Sequence, residues 1–216
     1  MVAGTASLSA RWVGAVSARP PVRRVVTGHD DDGRSVILTD GAAPHHWTSD
    51  TIPGFGATVP WMTAAEPIDH ASDVDAAAAD SLIPSFPADG ETIMRIVDFP
   101  PDAVYPKEAD TVIFTELDGH AEKDAGKERA RSKHFWFHRT DSIDYAIVLS
   151  GEVTLILDGE ETTLTPGDVV IQRATSHAWS NRTDQNARML FVLMGTSPQS
   201  AESIAQKRTS ALAPGA

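Results

Sequence analysis

Chemistry in this 216-residue chain has to be built from histidine and carboxylate, because it contains no cysteine. That absence removes disulfides, thiolate nucleophiles and zinc–thiolate centres, so any metal must sit on His, Asp or Glu. Two of the eight histidines stand in texts that combine several reactive types. His138 opens the run His138-Arg139-Thr140-Asp141-Ser142-Ile143-Asp144-Tyr145, and His177 closes Gln172-Arg173-Ala174-Thr175-Ser176-His177. Side chains of an extended segment alternate faces, so His138, Thr140 and Asp144 share parity and point one way, while Arg139 turns away. Imidazole and carboxylate on one face can move protons or hold a divalent ion. Asp144 beside His177 would raise the imidazole pKa and make a general acid–base pair, suited to isomerisation, dehydration or decarboxylation. The same residues also read as a hydrogen-bonded core histidine and an inward carboxylate paired with Arg173.

Trp136, Phe137 and Trp179 flank the two histidines and Tyr145 follows Asp144. Aromatic walls suit an apolar or aromatic ligand, and they equally suit a plain core. Arg173 is the expected bidentate holder of a substrate carboxylate. Trp136, Trp179 and Tyr145 are the expected substrate contacts beside it. His29, His45, His46, His70, His120 and His134 are read as surface residues.

The elements that must carry these side chains are short strands. Thr92–Phe99, Val112–Glu116, Ile143–Leu149, Val153–Leu157, Glu161–Leu164, Asp168–Gln172 and Arg188–Met194 follow one another, broken by turns at Ser150-Gly151, Asp158-Gly159 and Pro166-Gly167. Such spacing without intervening helices predicts a sandwich or barrel, and Asp158-Gly159 predicts a hairpin. Upstream, Arg24–Thr27 and Ser35–Thr39 flank a turn-forming Gly28–Arg34 and predict another hairpin. Residues 51–90, rich in Pro, Gly and Ala, read as irregular chain, except that Ser72–Leu82 looks like a short helix. The expected organisation is an arm, hairpin and irregular extension over 1–90, a barrel over 91–196 and a tail over 197–216.

The formal charge of −12 disfavours nucleic acid and anionic membrane surfaces, whose binding rests on Lys and Arg. No apolar run reaches the roughly 20 residues needed to cross a bilayer. The first 24 residues carry Arg11, Arg19, Arg23 and Arg24 and no acidic residue, which reads as a flexible arm. A cytoplasmic location is expected.

Residues 138–181 resemble the two motifs of the cupin superfamily. The first is His-x-His, three or four residues, Glu, six residues, Gly; here His138, Thr140, Asp144 and Gly151 fall in those places. The second resembles the text from Gly167 to Asn181, with its closing His, three residues, Asn at His177 and Asn181. The resemblance implies an all-β double-stranded β-helix, that is, a jelly-roll or cupin barrel, usually as a homodimer. It implies a metal site in which His138, His177 and Asp144 are the ligands retained, with iron, manganese, nickel or zinc as the ion. Thr140 replaces the second motif histidine, Asp144 the glutamate, and the second motif lacks its Pro-x-Gly text. Asp is a methylene shorter than Glu, so Asp144 could instead orient a histidine. The activity implied is a small-molecule enzyme, an oxygenase, decarboxylase or isomerase/lyase, on a carboxylated or aromatic substrate. The open alternatives are a metal-free acid–base isomerase and a non-catalytic module for a small effector.

Overall fold

The computed structural model describes residues 19–72, 74–106, 134–135 and 137–198. Eleven strands account for nearly all of its regular structure: β1 (Arg23–His29), β2 (Ser35–Ala42), β3 (His46–Thr48), β4 (Gly56–Thr63), β5 (Thr92–Phe99), β6 (Ser142–Ser150), β7 (Val153–Leu157), β8 (Glu161–Leu164), β9 (Val169–Arg173), β10 (His177–Ser180) and β11 (Ala187–Gly195). They form a six-stranded sheet in the order β3-β4-β5-β11-β6-β9, a three-stranded sheet β10-β7-β8, and the separate hairpin β1-β2. Every pairing is antiparallel. Among the described residues no helix is long and apolar enough to cross a membrane.

Alternation decides which face of the large sheet is inside. Along β11, Ala187, Met189, Phe191 and Leu193 are buried while the residues between them are half-exposed. Register sets Met189 opposite Val97 on one side and Val148 on the other, so each row presents apolar side chains to the same interior. Val153, Leu155, Leu164 and Trp179 from the small sheet close that core, and a second cluster gathers Ile52, Phe55, Ile156 and Ala178.

The hairpins expected at residues 28–34 and 158–159 are present. In the first, the Asp30 carboxylate accepts the backbone N–H groups of Asp32 and Arg34, and Gly33 takes a φ of 76°. The structure differs from the sequence reading upstream of residue 91. There β4 pairs along β5, with a register shift between Thr58 and Trp61. Pro60 lies within that shift, and its missing N–H is what a bulge tolerates. Ser72–Leu82 is not a helix among its described residues but a series of turns. Asp75 is drawn to Arg24 and to the backbone N–H of Ala77, and so short a segment has little helical stability of its own to oppose that. Val112–Glu116 and the arm before Arg19 lie outside the described residues.

Candidate functional site

Between the two sheets lies a cavity with about 750 Å³ of unfilled space, part of it open solvent. His138, Thr140, Asp144 and His177 all line it, as do Trp179, Arg95 and the rings of Phe55, Phe86, Phe99 and Phe191. The shared parity of His138, Thr140 and Asp144 therefore places them as the alternation predicts. On β6, Asp144, Ala146 and Val148 face inward.

The two histidines are brought together by the main chain. His138 and His177 form an isolated antiparallel bridge, each backbone N–H donating to the other's carbonyl at 2.9 Å. Their ring centroids are 4.4 Å apart with 50° between planes, and Trp179 stacks edge-on against His177 at 5.5 Å. His177 is 3% exposed. Its Nδ1 lies 2.9 Å from the Thr175 carbonyl, which can only accept, so Nδ1 carries the proton and Nε2 the lone pair. Burial, and then the neighbouring His138, push the His177 pKa down to about 3. The ring is neutral at any ordinary pH.

Asp144 is 4% exposed. Ser142 hydrogen-bonds to its carboxyl group, but Oδ1 is buried without a partner among the described residues. Burial raises its pKa to about 6, against the opposing pull of Ser142 and Arg95. Thr140 Oγ1 sits 2.8 Å from Ser142 Oγ, so the buried Ser142 links the two wall residues Thr140 and Asp144. Among the described residues, no group of three or more His, Asp and Glu side chains is arranged to hold a metal ion. The two imidazoles are adjacent; Asp144 does not complete a three-donor set with them.

Two expected substrate contacts lie elsewhere. Tyr145 is 43% exposed on the outer face of β6, and Arg173 is exposed at the end of β9, its inward neighbour being Gln172. Each stands next to a buried residue of its strand, Asp144 and Gln172 respectively, and so faces outward. Trp136 lies outside the described residues. The cation that does line the cavity is Arg95, which the sequence reading missed. Its signal was present: on β5 it shares parity with Ile93, Val97 and Phe99, an otherwise apolar face. Arg95 donates to the Ser85 carbonyl at 2.5 Å and the Pro84 carbonyl at 3.0 Å. Burial lowers its pKa to about 10, with Asp144 opposing, so it stays charged at neutral pH.

The motif residues Gly151 and Asn181 are structural. Gly151 has a φ of 78°, and a Cβ there would stand 2.7 Å from Ala187 Cα. Asn181 is 1% exposed; its Nδ2 donates to the Phe99 and Gln185 carbonyls, and its Oδ1 accepts from the backbone and hydroxyl of Thr183. Asp102 gathers the same corner from outside, accepting from Asn181 N, Ser180 Oγ and His134 Nε2. Burial would raise its pKa, but those hydrogen bonds and the charge of His134 prevail and hold it below the usual value. Where the Pro-x-Gly text is missing, the turn is made with Ala174 at a φ of 48°.

Comparison with known proteins finds cupin relatives. A family model described as a cupin domain matches residues 111–193. The cupin-domain-containing oxidoreductase fogC of Aspergillus ruber is 30% identical over 80% of this chain and 72% of its own length. Phomopsin biosynthesis cluster protein C' of Diaporthe leptostromiformis is 32% identical over 81% of this chain and 79% of its own. Among solved structures, a Cupin 2 conserved barrel domain protein from Salinispora arenicola aligns with a TM-score of 0.29 at 17% identity, covering 55% of this chain and 71% of that one.

Proposed function

Because the chain belongs to the cupin family, we propose that its barrel cavity is the active site of a small-molecule oxidoreductase, acting on an aromatic or carboxylated substrate. The observation that carries this reading is the buried imidazole pair. Two rings 4.4 Å apart stand in an aromatic-walled cavity, and one is fixed with Nδ1–H on a carbonyl so that Nε2 is a bare Lewis base. A carbonyl holding the second nitrogen is the support that metal-binding histidines ordinarily have. The oxidoreductase names of relatives such as fogC support the reaction class.

His138 and His177 are the residues that would hold a divalent metal such as iron, manganese, nickel or zinc. They fit that task by chemistry, as imidazole nitrogen donors, with His177 held neutral by its burial. The three-ligand set with Asp144 does not fit, since no such group is assembled among the described residues. A metal on the pair would supply redox or Lewis-acid chemistry to a bound substrate. The protein's own contribution is legible without it. The rings of Phe99, Phe191 and Trp179 exclude water and give an apolar body its contact area. Asp144 keeps a buried carboxyl oxygen free for a substrate donor, and Thr140 and Ser142 hold the wall beside it.

Metal analysis of protein purified without an affinity tag tests the assignment. Wild type is expected to carry a divalent ion that both His138→Ala and His177→Ala lose. If His177→Ala retains as much metal as wild type, the donor assignment is wrong. Thr140 in place of the second motif histidine favours one rival, a non-catalytic module for a small effector. Thermal stabilisation by a metabolite that is never turned over would support that rival.

The protein is further proposed to act as a cytoplasmic homodimer. Ile143, Tyr145, Leu149, Val169 and Ile171 are each between 38% and 60% exposed, and together they form an apolar outer face across β6 and β9. An apolar patch of this kind is characteristic of a protein–protein surface.

A further inference from the structure

The cavity contains a cation and a carboxylate that do not pair with each other. Arg95 and Asp144 both line it and each affects the other's charge, yet neither takes part in an ion pair among the described residues. Each is tethered to its own side. Arg95 is turned toward the Pro84-Ser85 segment, where neutral carbonyls accept one N–H from each terminal nitrogen. Of its five donors, Nε–H and one on each terminal nitrogen have no acceptor among the described residues. Asp144 is held by Ser142 through one part of its carboxyl group, with Oδ1 buried and unpartnered among the described residues. Among the described residues the half-buried guanidinium meets only neutral carbonyls and the buried carboxyl oxygen meets no donor, and leaving that oxygen so is costly unless another group completes it. The space between is walled by Phe86, Phe99, Trp179 and Phe191.

We propose that Arg95 and Asp144 are a two-ended recognition pair for the substrate. Arg95 binds an anionic oxygen group such as a carboxylate, and Asp144 Oδ1 accepts from a separate hydroxyl or N–H donor on the same aromatic molecule. The proposal deepens the reading of the cavity as a substrate site and rests on it. It assigns the carboxylate contact to Arg95 on β5. The guanidinium also ties substrate charge to the Pro84-Ser85-Phe86 segment, since the group that meets the anion is the group that holds this segment. Phe86 in turn lies against His138, ring centroids 6.2 Å apart.

The test is calorimetric titration of the full chain with three probes of similar size: para-hydroxyphenylacetate with both groups, phenylacetate without the donor, and para-cresol without the anion. Wild type should bind them in that order of affinity. Arg95→Met should weaken both carboxylates by about 10- to 100-fold, the range of a charge-assisted hydrogen bond, and leave para-cresol within about twofold. Asp144→Leu should remove the advantage of para-hydroxyphenylacetate over phenylacetate. Should Arg95→Met fail to fold, as judged by its melting transition, Arg95→Lys keeps the charge without the fork and should weaken both carboxylates to a smaller degree. Carboxylate affinities unchanged in Arg95→Met, or in Arg95→Lys where that variant is the one measured, overturn the proposal. So does para-cresol binding as tightly as the acids in wild type, although the cavity would then remain a ligand site. Failure of all three probes overturns it as well, while the metal readout on His177→Ala judges the metal assignment separately.

Discussion

Replacing Asp144 by Asn should change how stability depends on pH, with a sign and size that follow from burial. The folded carboxyl has a pKa raised from 3.8 to about 6. Below 3.8 both folded and unfolded chains hold the proton, and the group is neutral in each. As pH rises toward 6 the unfolded chain releases its proton first, so folding is progressively disfavoured. Above that, both forms are ionised and the loss stays constant. About two pH units at roughly 1.4 kcal/mol each give a penalty on the order of 3 kcal/mol at neutral pH. Asn has nearly the same shape and no titration. Urea unfolding of wild type and Asp144→Asn across the range should therefore show a stability difference that moves in favour of the variant between about pH 4 and 6 and then levels. The difference cancels every other titrating group that the two proteins share. A flat difference across that range would mean that the carboxyl is solvated in the folded protein, and the picture of an unpartnered buried oxygen would fail.

Three other outcomes are expected. Asn181→Ala removes four hydrogen bonds at a buried corner and should cost about 2–4 kcal/mol in urea unfolding. Gly151→Ala combines a left-handed φ with a clash against Ala187; a loss of about 2 kcal/mol or more is expected, read as a fall in the unfolding midpoint. Ile171→Asp, placed on the outer face of β9 where the side chain is 53% exposed, should convert a dimer to a monomer by sedimentation while leaving the melting curve of the monomer fold intact.

Parity explains both what could be read from the residues and what could not. β5, β7 and β8 have the expected limits because Gly and Pro turn residues bracket short β-prone runs. β4 is masked in the sequence by Gly56, which opens the strand, and by Pro60, which lies in a register shift within it rather than in a loop. β10 has no alternation to find, since all four of its residues are buried. The Ala-rich run after Ser72 has helical propensity, but the ion pair between Arg24 and Asp75 overrides it, and no local window contains that pair. At the site, the inward set of His138, Thr140 and Asp144 follows from counting along one segment. Tyr145 follows the inward Asp144 on β6 and Arg173 the buried Gln172 on β9, so both lie outside despite their suitable chemistry. Arg95 escaped notice because it stands more than forty residues from either motif, and only the pairing of β5 with β11 brings it to the cavity. The pairing of His138 with His177 is likewise a product of topology.

The reciprocal main-chain bridge between those two positions separates spacing from identity. Since the separation is imposed by peptide groups, exchanging one imidazole for another side chain leaves its neighbour anchored where it was. A lineage could therefore trade donors here one at a time, losing or regaining a reactive centre without rebuilding the scaffold around it. The same property makes the position a ready place to install new donor chemistry by design.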